Sequence, residues 1–468
     1  MTAQTILPAN TLSSGYDVDN SLRFDDDSSD YLSQTYSSSG NQRTFTISFW
    51  FKRSNVVSSN IYTYQDASNE IRSEFILYDD YMKIVFNPTG SEWSADMIVQ
   101  ENGTNVLFRD TSAWYHVVMA IDTTQGTEAN RIKVYINGNQ KAMSAYPSEN
   151  FDTGYNTDIV HSVGSYIHAA NTFFDGYFAE FCVIDGSQLA ATSFGEFDED
   201  SAIWKPKNPA GLTFGTNGFY LQFKESGTSA NASGMGADTS GNDHHFTVHN
   251  LTAVDQSTDT CTNNFCVMNP NDNVHGGGTF ENGNLQVTSR NTGYTYNTGT
   301  FGVAGGKWYW EVKWSAQDTG STNQVLIGVA KRPSSSTTNY LGVSAWGYGY
   351  QGSNGYVLLS NSNLITYASY SVGDIVGVAL DMDNNRLYFS KNGTYNNSSD
   401  PANGTNPISI TAPDSTNADS GFYFPAFGDG NNNLVETGQF NFGGGSVHAI
   451  SSGNADANGH GNFEYAVP

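Results

Sequence analysis

Positive charge is what this sequence has least of. Lys and Arg together number 20 against 46 Asp and Glu in 468 residues, a net charge of −26 at pH 7. A polyanion of that strength repels phosphate backbones, which argues against nucleic acid as a partner, and against an anionic membrane surface unless divalent cations bridge. Cysteine is nearly absent, with only Cys182, Cys261 and Cys266. An odd number excludes a complete disulfide framework. Cys182 lies in an apolar strand pattern and reads as a small core hydrophobe, whereas Cys261 and Cys266 either pair or stay free. The histidines are scattered and no second cysteine pair exists, so zinc is not expected. No run approaches the ~20 apolar residues of a membrane span, and no membrane insertion is expected. The stretch Met1–Pro8 has neither a basic patch nor an apolar segment, so it does not read as a secretory signal.

What is present favours strands. Hydrophobic residues make up 38% and aromatics 13%, while charged residues are only 14% and glycines number 48. This mix suits short strands joined by polar turns and suits helices poorly. A single core stops growing near roughly 250–300 residues, so two or three domains are expected. The reading is an all-β chain of two antiparallel β-sandwiches with a partly ordered connector. Its parts are an arm at 1–20, a first sandwich at 21–200, a connector at 201–275, a second sandwich at 276–444 and a tail at 445–468.

Periodicity places the strands. Phe45, Ile47, Phe49 and Phe51 alternate with outward positions, and so do Ile132, Val134 and Ile136. Trp308, Trp310, Val312 and Trp314 load one face of another strand with rings. Leu189–Phe194 reads as a short helix. The two blocks echo each other: Val117–Asp122, a loop, then Arg131–Gly138, against Val376–Asp381, a loop, then Arg386–Gly393. Both run buried strand, turn, strand, Asn-Gly, the pattern of one hairpin used twice.

The first block resembles laminin-G-like, concanavalin A-like lectin domains over about residues 20–200. The carriers are Phe45–Arg53, Trp114–Val117, Val134–Gly138, and Phe174-Asp175-Gly176 leading to Glu180. The second block resembles SPRY domains over about residues 276–444. It carries Gly306–Val312, Ile327–Val329, Gly373–Val378, Leu387–Phe389 with Asn392-Gly393, and Tyr423–Gly428 in family order. The pairing is similar to virion surface proteins of marine tailed bacteriophages. That resemblance implies a fibre, spike or capsid decoration at the virion surface, released by lysis. It implies other virion proteins and a host-surface glycan as partners, and a homo-oligomer with a trimer favoured.

Candidate chemistry is sparse. Glu196-Phe197-Asp198-Glu199-Asp200 resembles the Glu-x-Asp-x-x-Glu string of concanavalin A-like glycosidases, but Ser201 stands where the last glutamate belongs. Retaining hydrolysis needs two carboxyls about 5–5.5 Å apart, one with a raised pKa, so a solvated acidic loop is the better reading. Asp381–Asn385 looks like a calcium loop, yet Arg386 and Asn392 occupy the places of its glycine and glutamate, which leaves a hairpin turn. Asp25, Asp27 and Asp30 are candidate ligands of a Ca2+ ion, since crowded carboxylates repel unless a hard cation or water screens them; the alternative is an exposed acidic turn. His244 and His245 would point to opposite faces of a strand, which disfavours a shared metal. For sugar or protein recognition by ring faces, the candidates are Trp346, Tyr348 and Tyr350, spaced by glycines, then Tyr294, and on the first domain Tyr62, Tyr64 and Trp93. The Trp346–Tyr350 run reads equally as a core strand. No catalytic residue is assigned, and the expectation is a non-enzymatic binding protein. The alternatives are a polysaccharide-degrading glycoside hydrolase and an intracellular SPRY-type peptide-binding scaffold.

Overall fold

The structure is a computed structural model that describes residues 15–66, 72–89, 96–166, 172–272, 278–290, 292–318, 324–331, 339–413, 420–430 and 434–468. The chain divides into two compact units, 1–264 and 265–468. The stretch 201–264 therefore belongs to the first unit instead of forming a connector up to residue 275. Among the described residues the strands pair antiparallel, with 3-10 turns such as Ala191–Ser193 where a short helix was expected. Among the described residues no helix is long and apolar enough to cross a membrane.

In the first unit, strands Ser21–Phe24, Gly176–Asp185, Thr44–Arg53, Tyr115–Asp122, Ile132–Ile136 and Asn139–Met143 lie side by side. Met97–Glu101 carries the hydrogen bonding on to Tyr81–Asn87, Arg72–Tyr78, Ser59–Gln65, Val160–Val163 and Tyr31–Thr35. Phe45, Ile47, Phe49 and Phe51 enter the core between these two layers together with Phe75, Ile84, Phe178 and Phe181. The opposite face of the Thr44–Arg53 strand is also buried. Thr46, Ser48, Trp50 and Lys52 are covered by a second apolar cluster that includes Phe194, Trp204, Phe214 and Tyr220. A strand that alternates apolar and polar residues is thus dry on both sides, and its polar residues must find partners inside.

They do. Ser48 Oγ meets His116 Nε2 at 3.0 Å, and Trp204 Nε1 donates to His116 Nδ1 at 2.9 Å. Burial pushes the His116 imidazole down to about 3, so it stays neutral between them. Glu180 sits at a bulge between Ala179 and Cys182 with φ +51. It accepts the Tyr220 hydroxyl, and burial lifts its carboxyl to about 7. Lys52 Nζ, 1% exposed, donates to Asp259 at 2.8 Å and Asn264 at 2.9 Å. Asp259 also accepts Trp114 Nε1 at 3.0 Å. Arg23 pairs with Asp255 at 2.8 Å. These two buried ion pairs fasten residues 250–264 to the sandwich. All three cysteines are free thiols.

The second unit stacks two sheets. One contains Gln286–Thr288, Glu436–Asn441, Lys307–Gln317, Ile375–Asp381 and Arg386–Lys391; the other contains Thr295–Thr298, Phe424–Asp429, Val325–Ala330, Gly347–Gln351 and Tyr356–Leu359. Trp310, Val312 and Trp314 fill the core with Val378, Phe389 and Phe427, and Trp308 packs at its margin.

The hairpin echo is physical. Tyr115–Asp122 pairs with Ile132–Ile136, and Ile375–Asp381 pairs with Arg386–Lys391. Each ends in a turn of positive φ, 47° and 76° at Asn137-Gly138 and 48° and 76° at Asn392-Gly393. In each the asparagine clasps the start of its partner strand. Asn137 N and Oδ1 bond His116 O and N at 2.9 and 2.8 Å, and Asn392 N and Oδ1 bond Ile375 O and N at 2.8 and 2.8 Å.

Asp259→Ala leaves the Lys52 ammonium buried without its carboxylate and is expected to cost about 3–5 kcal/mol in urea denaturation followed by circular dichroism. The double variant Lys52→Met, Asp259→Leu should recover most of that loss. Equal destabilisation of the double and single variants would show that the ion pair is not what anchors this segment.

Candidate functional site

The strand Ser21–Phe24 ends in a tight acidic turn. Ser29 N bonds Asp26 O at 3.1 Å and Asp30 N bonds Asp25 O at 3.2 Å. The Asp25 carboxylate accepts Asp27 N at 3.2 Å. Asp30 Oδ2 accepts Asp25 N at 3.1 Å, so Asp30 staples the turn. Oxygens of Asp25, Asp26 and Asp27 lie within 4.8 Å of one another. The Phe174-Asp175-Gly176 corner brings a fourth carboxylate. Gly176 is required there, because a Cβ would stand 2.2 Å from Lys52 O. Asn55 Nδ2 donates to Asp175 Oδ2 at 2.7 Å and reaches Asp26 Oδ2 at 3.5 Å, tying the corner to the turn.

This cluster is under electrostatic stress. Asp175 is 4% exposed and its Oδ1 has no hydrogen-bond partner. Burial first, then repulsion from Asp26, Asp25 and Asp27, pushes its carboxyl well above the usual range. Burial also raises Asp25 and Asp26, and lifts Asp30 to about 7. Arg53, 1% exposed, is spent on the backbone carbonyls of Asn55, Asp79, Phe108 and Val57 and forms no ion pair with the cluster. An orphaned buried oxygen among carboxylates fits a hard cation, and Ca2+ takes all-oxygen shells of this kind. Asp25, Asp26, Asp27 and Asp175 are the residues that could hold it. Of the sequence candidates Asp25 and Asp27 stand in the cluster. Asp30 lies outside that group of three: its Oδ2 is taken by the turn, while its Oδ1, like that of Asp175, is buried without a hydrogen-bond partner. Asp26 and Asp175 were missed, although Asp175 sits in the Phe-Asp-Gly string that carried the family resemblance.

The aromatic candidates need correcting. Tyr62 and Tyr64 are 0% and 1% exposed and pack on Tyr155 in the first core. Tyr348 and Tyr350 are 2% and 0% exposed in the second core, where Tyr350 packs on Tyr370 and Phe389. The glycines between them serve close packing. A Cβ at Gly349 would stand 2.9 Å from Leu341 O, and one at Gly328 would stand 1.8 Å from Tyr348 O. None of these four rings presents a face to solvent. Trp346 is half-buried in the turn before that strand. Tyr294 is half-buried against Tyr340, ring centroids 5.1 Å apart. Trp93 lies outside the described residues. Glu196 faces Lys205 and Lys207, each at 3.7 Å, and Ser201 holds Asp198 down to about 2, so neither acid shares a proton with another carboxyl. His244 bonds Thr216 O, His245 bonds Asp238 N, and His249 bonds Ser33 Oγ, three separate partners.

A groove of about 250 Å³ crosses the outer face of Ser59–Gln65, Arg72–Tyr78 and Tyr81–Asn87. Period-two alternation places Arg72, Glu74, Ile76 and Tyr78 on that face. Arg72 pairs with Glu74 at 3.0 Å, Asn60 donates to Glu74 at 3.2 Å, and Lys83 pairs with Asp96 at 3.4 Å. Lys83 Nζ lies 4.7 Å from the Tyr78 ring, which is 43% exposed. Two cations, two anions, an amide and an open ring thus line one channel. The alternation was legible in Arg72–Tyr78, but nothing in the sequence told which face would stay uncovered. A second, wider groove holds Arg43 and Asp152, but no aromatic residue lines it.

Two family models match the chain. Residues 25–191 match the concanavalin A-like lectin/glucanases superfamily, and residues 307–445 match the SPRY domain. The chain thus carries a concanavalin A-like domain followed by a SPRY domain, domain types that point to carbohydrate or protein binding. No curated protein matches the chain. Among solved structures, the SPRY domain of human HERC1 is similar at 18% identity, with 39% of this chain and 99% of that chain covered and a TM-score of 0.30. A putative carbohydrate binding protein from Bacteroides ovatus is similar at 14% identity, covering 51% and 60%, with a TM-score of 0.35. A heptameric SAP-like pentraxin from Limulus polyphemus is similar at 16% identity, covering 38% and 80%, with a TM-score of 0.27. At scores this low these likenesses do not bear on function.

Raised carboxyl pKa values give stability that is complete below the unfolded values and lost as pH rises through the folded ones. In the presence of a chelator, melting temperature is therefore expected to fall between about pH 5 and pH 8, the window set by Asp30 and Glu180 near 7. Added Ca2+ should raise it more at the upper end, and Asp175→Asn should weaken Ca2+ binding at least about tenfold in calorimetric titration. No heat of Ca2+ binding, together with a melt indifferent to Ca2+, would remove the site.

Proposed function

We propose that this chain is a non-enzymatic binding protein of a tailed-bacteriophage particle, a fibre, spike or capsid decoration, that recognises a host-surface glycan through its first domain. The groove beside Tyr78 carries this reading. Its charges are already matched within the protein, Arg72 with Glu74 and Lys83 with Asp96, so it suits a neutral polyol better than an ion. The part of the Tyr78 ring that Lys83 leaves exposed can cover one side of a sugar, while the paired polar groups around it donate to and accept from hydroxyls. A cation at the Asp25–Asp175 rim would stiffen the acidic turn and supply no reaction step. The SPRY domain is free to contact protein, and other virion proteins are its natural partners in this setting. The virion assignment rests on the paired-domain resemblance.

The test is a neutral-glycan array probed with the whole chain in Ca2+, followed by titration of any hit. Tyr78→Ala should cost about 1–2 kcal/mol, roughly tenfold in affinity, with the fold unchanged. Because the ligand is uncharged, affinity should hold between low and near-molar salt, where exposed charge pairs are screened. Binding that collapses with salt would mark an ionic ligand and sink the glycan reading. Mass spectrometry of purified particles that lack this chain would sink the virion reading.

A further inference from the structure

Glu311 lies on the face of the Lys307–Gln317 strand that points away from the second core, yet it is 0% exposed. What covers it is a later segment of the chain. Glu311 Oε2 accepts Glu464 N at 2.9 Å and Oε1 accepts Tyr465 N at 2.8 Å, so one carboxylate reads two consecutive backbone amides. Tyr309 donates to the same carboxylate at 2.9 Å. The Phe463 ring, 5% exposed, packs edge-on against Tyr309 at 5.1 Å. Tyr465 rests on Gly393, where a Cβ would stand 2.5 Å from the ring. Asn441 Nδ2 adds a bond to Asn462 O at 2.8 Å.

The segment that supplies these groups is braced from within. Asn454 and Phe463 exchange backbone bonds at 2.8 and 2.7 Å, and Asp456 caps the turn by accepting Asn458 N at 2.8 Å and His460 N at 2.9 Å. Ser451 N donates to the Glu464 carboxylate at 2.7 Å. Ser451–Tyr465 is therefore a self-supporting hairpin pressed onto a socket, not a strand of the sheet. Its approach passes through exposed Ala449, Ser451, Ser452 and Gly453. A carboxylate placed to bind two successive amides, a ring edge and a glycine seat together specify an extended aromatic–acidic–aromatic segment. The one segment shown to fit is this chain's own, so the matching partner is another copy.

We propose that the Glu311–Tyr309–Gly393 face is a docking socket for the Ser451–Tyr465 hairpin of a second copy of this chain, with each copy's own hairpin as the resident occupant. Tethering gives the resident a high effective concentration, so dilute chains hold themselves closed, and crowding copies together allows exchange. Exchange by the same contacts in both directions closes a symmetric pair. The proposal stands apart from the glycan reading, which concerns the first domain.

The probe is a labelled peptide of residues Ser451–Pro468 added to the full chain. Phe463→Ala with Tyr465→Ala should unseat the resident hairpin, and this variant should then bind the peptide by fluorescence anisotropy where the wild-type chain at equal concentration does not. Adding Glu311→Gln should weaken that binding at least tenfold, because the amide can no longer accept both backbone N–H groups. In sedimentation velocity the wild-type chain should pass from monomer to dimer as concentration rises, and the double variant should remain a monomer. A folded double variant that ignores the peptide, or a wild-type chain that stays monomeric throughout, overturns the proposal. Hydrogen exchange on the wild-type chain guards against a variant that fails to fold. The amides of Glu464 and Tyr465 should exchange at least a hundredfold faster than that of Val378, and equal rates would make the hairpin an integral part of the domain and overturn the proposal.

Discussion

Asp255, Asp259, Glu311 and Asp175 are four carboxylates withdrawn from water, each at a junction between separate stretches of chain. An ionised carboxylate in a dry site costs several kcal/mol unless a cation or a set of hydrogen-bond donors meets it. In this strongly acidic chain that constraint does the work that disulfides do elsewhere. Arg23 and Lys52 answer the first two and bind residues 250–264 to the first sandwich. Two backbone amides and a tyrosine hydroxyl answer Glu311 and bring residues 451–465 onto the second. Asp175 is answered only in part, by Asn55, and its second oxygen is buried without a hydrogen-bond partner.

Around these anchors the architecture is repetitive. The same clasped Asn-Gly hairpin occurs in both units, and in both the glycine gives room to an aromatic ring, Trp204 over Gly138 and Tyr465 over Gly393. A turn with two positive φ angles leaves a flat surface without a Cβ, and a distant segment uses that surface as a seat. The first unit covers it with residues 187–222, where Trp204 lies over Gly138. The second covers it with a hairpin that carries its own internal bonds, with Tyr465 over Gly393.

How far the site could be read in the sequence varied with the kind of signal. Acidic crowding at 25–30 is local, so Asp25 and Asp27 stood out. Asp175 comes from a corner some 150 residues later, and only the antiparallel pairing of Gly176–Asp185 with Ser21–Phe24 brings the two together. The aromatic candidates failed for a different reason. Glycine beside tyrosine reads as looseness in a linear chain, but in a sheet a missing Cβ lets a neighbouring backbone come close and so buries the ring. Tyr348 and Tyr350 went inward on that account, whereas Tyr62 and Tyr64, which have no glycine beside them, went inward because Ser59–Gln65 is a strand buried along its whole length. Tyr78, which drew no notice, is 43% exposed, and among the described residues no later segment covers its face.

The sequence by itself determined the all-β class, the two concanavalin A-like and SPRY blocks, the inward faces of the principal strands and the repeated hairpin. Those follow from side-chain alternation and turn residues, which act over a few positions and need no knowledge of distant chain. Only the tertiary structure decided which outward faces would be covered, because that depends on segments hundreds of residues away. It placed Lys52, His116 and Glu311 in the dry interior despite their polar character, added Asp26 and Asp175 to the rim, and left the Tyr78 groove open. Strand periodicity tells which side of a sheet a residue is on, and long-range packing alone tells whether that side meets water.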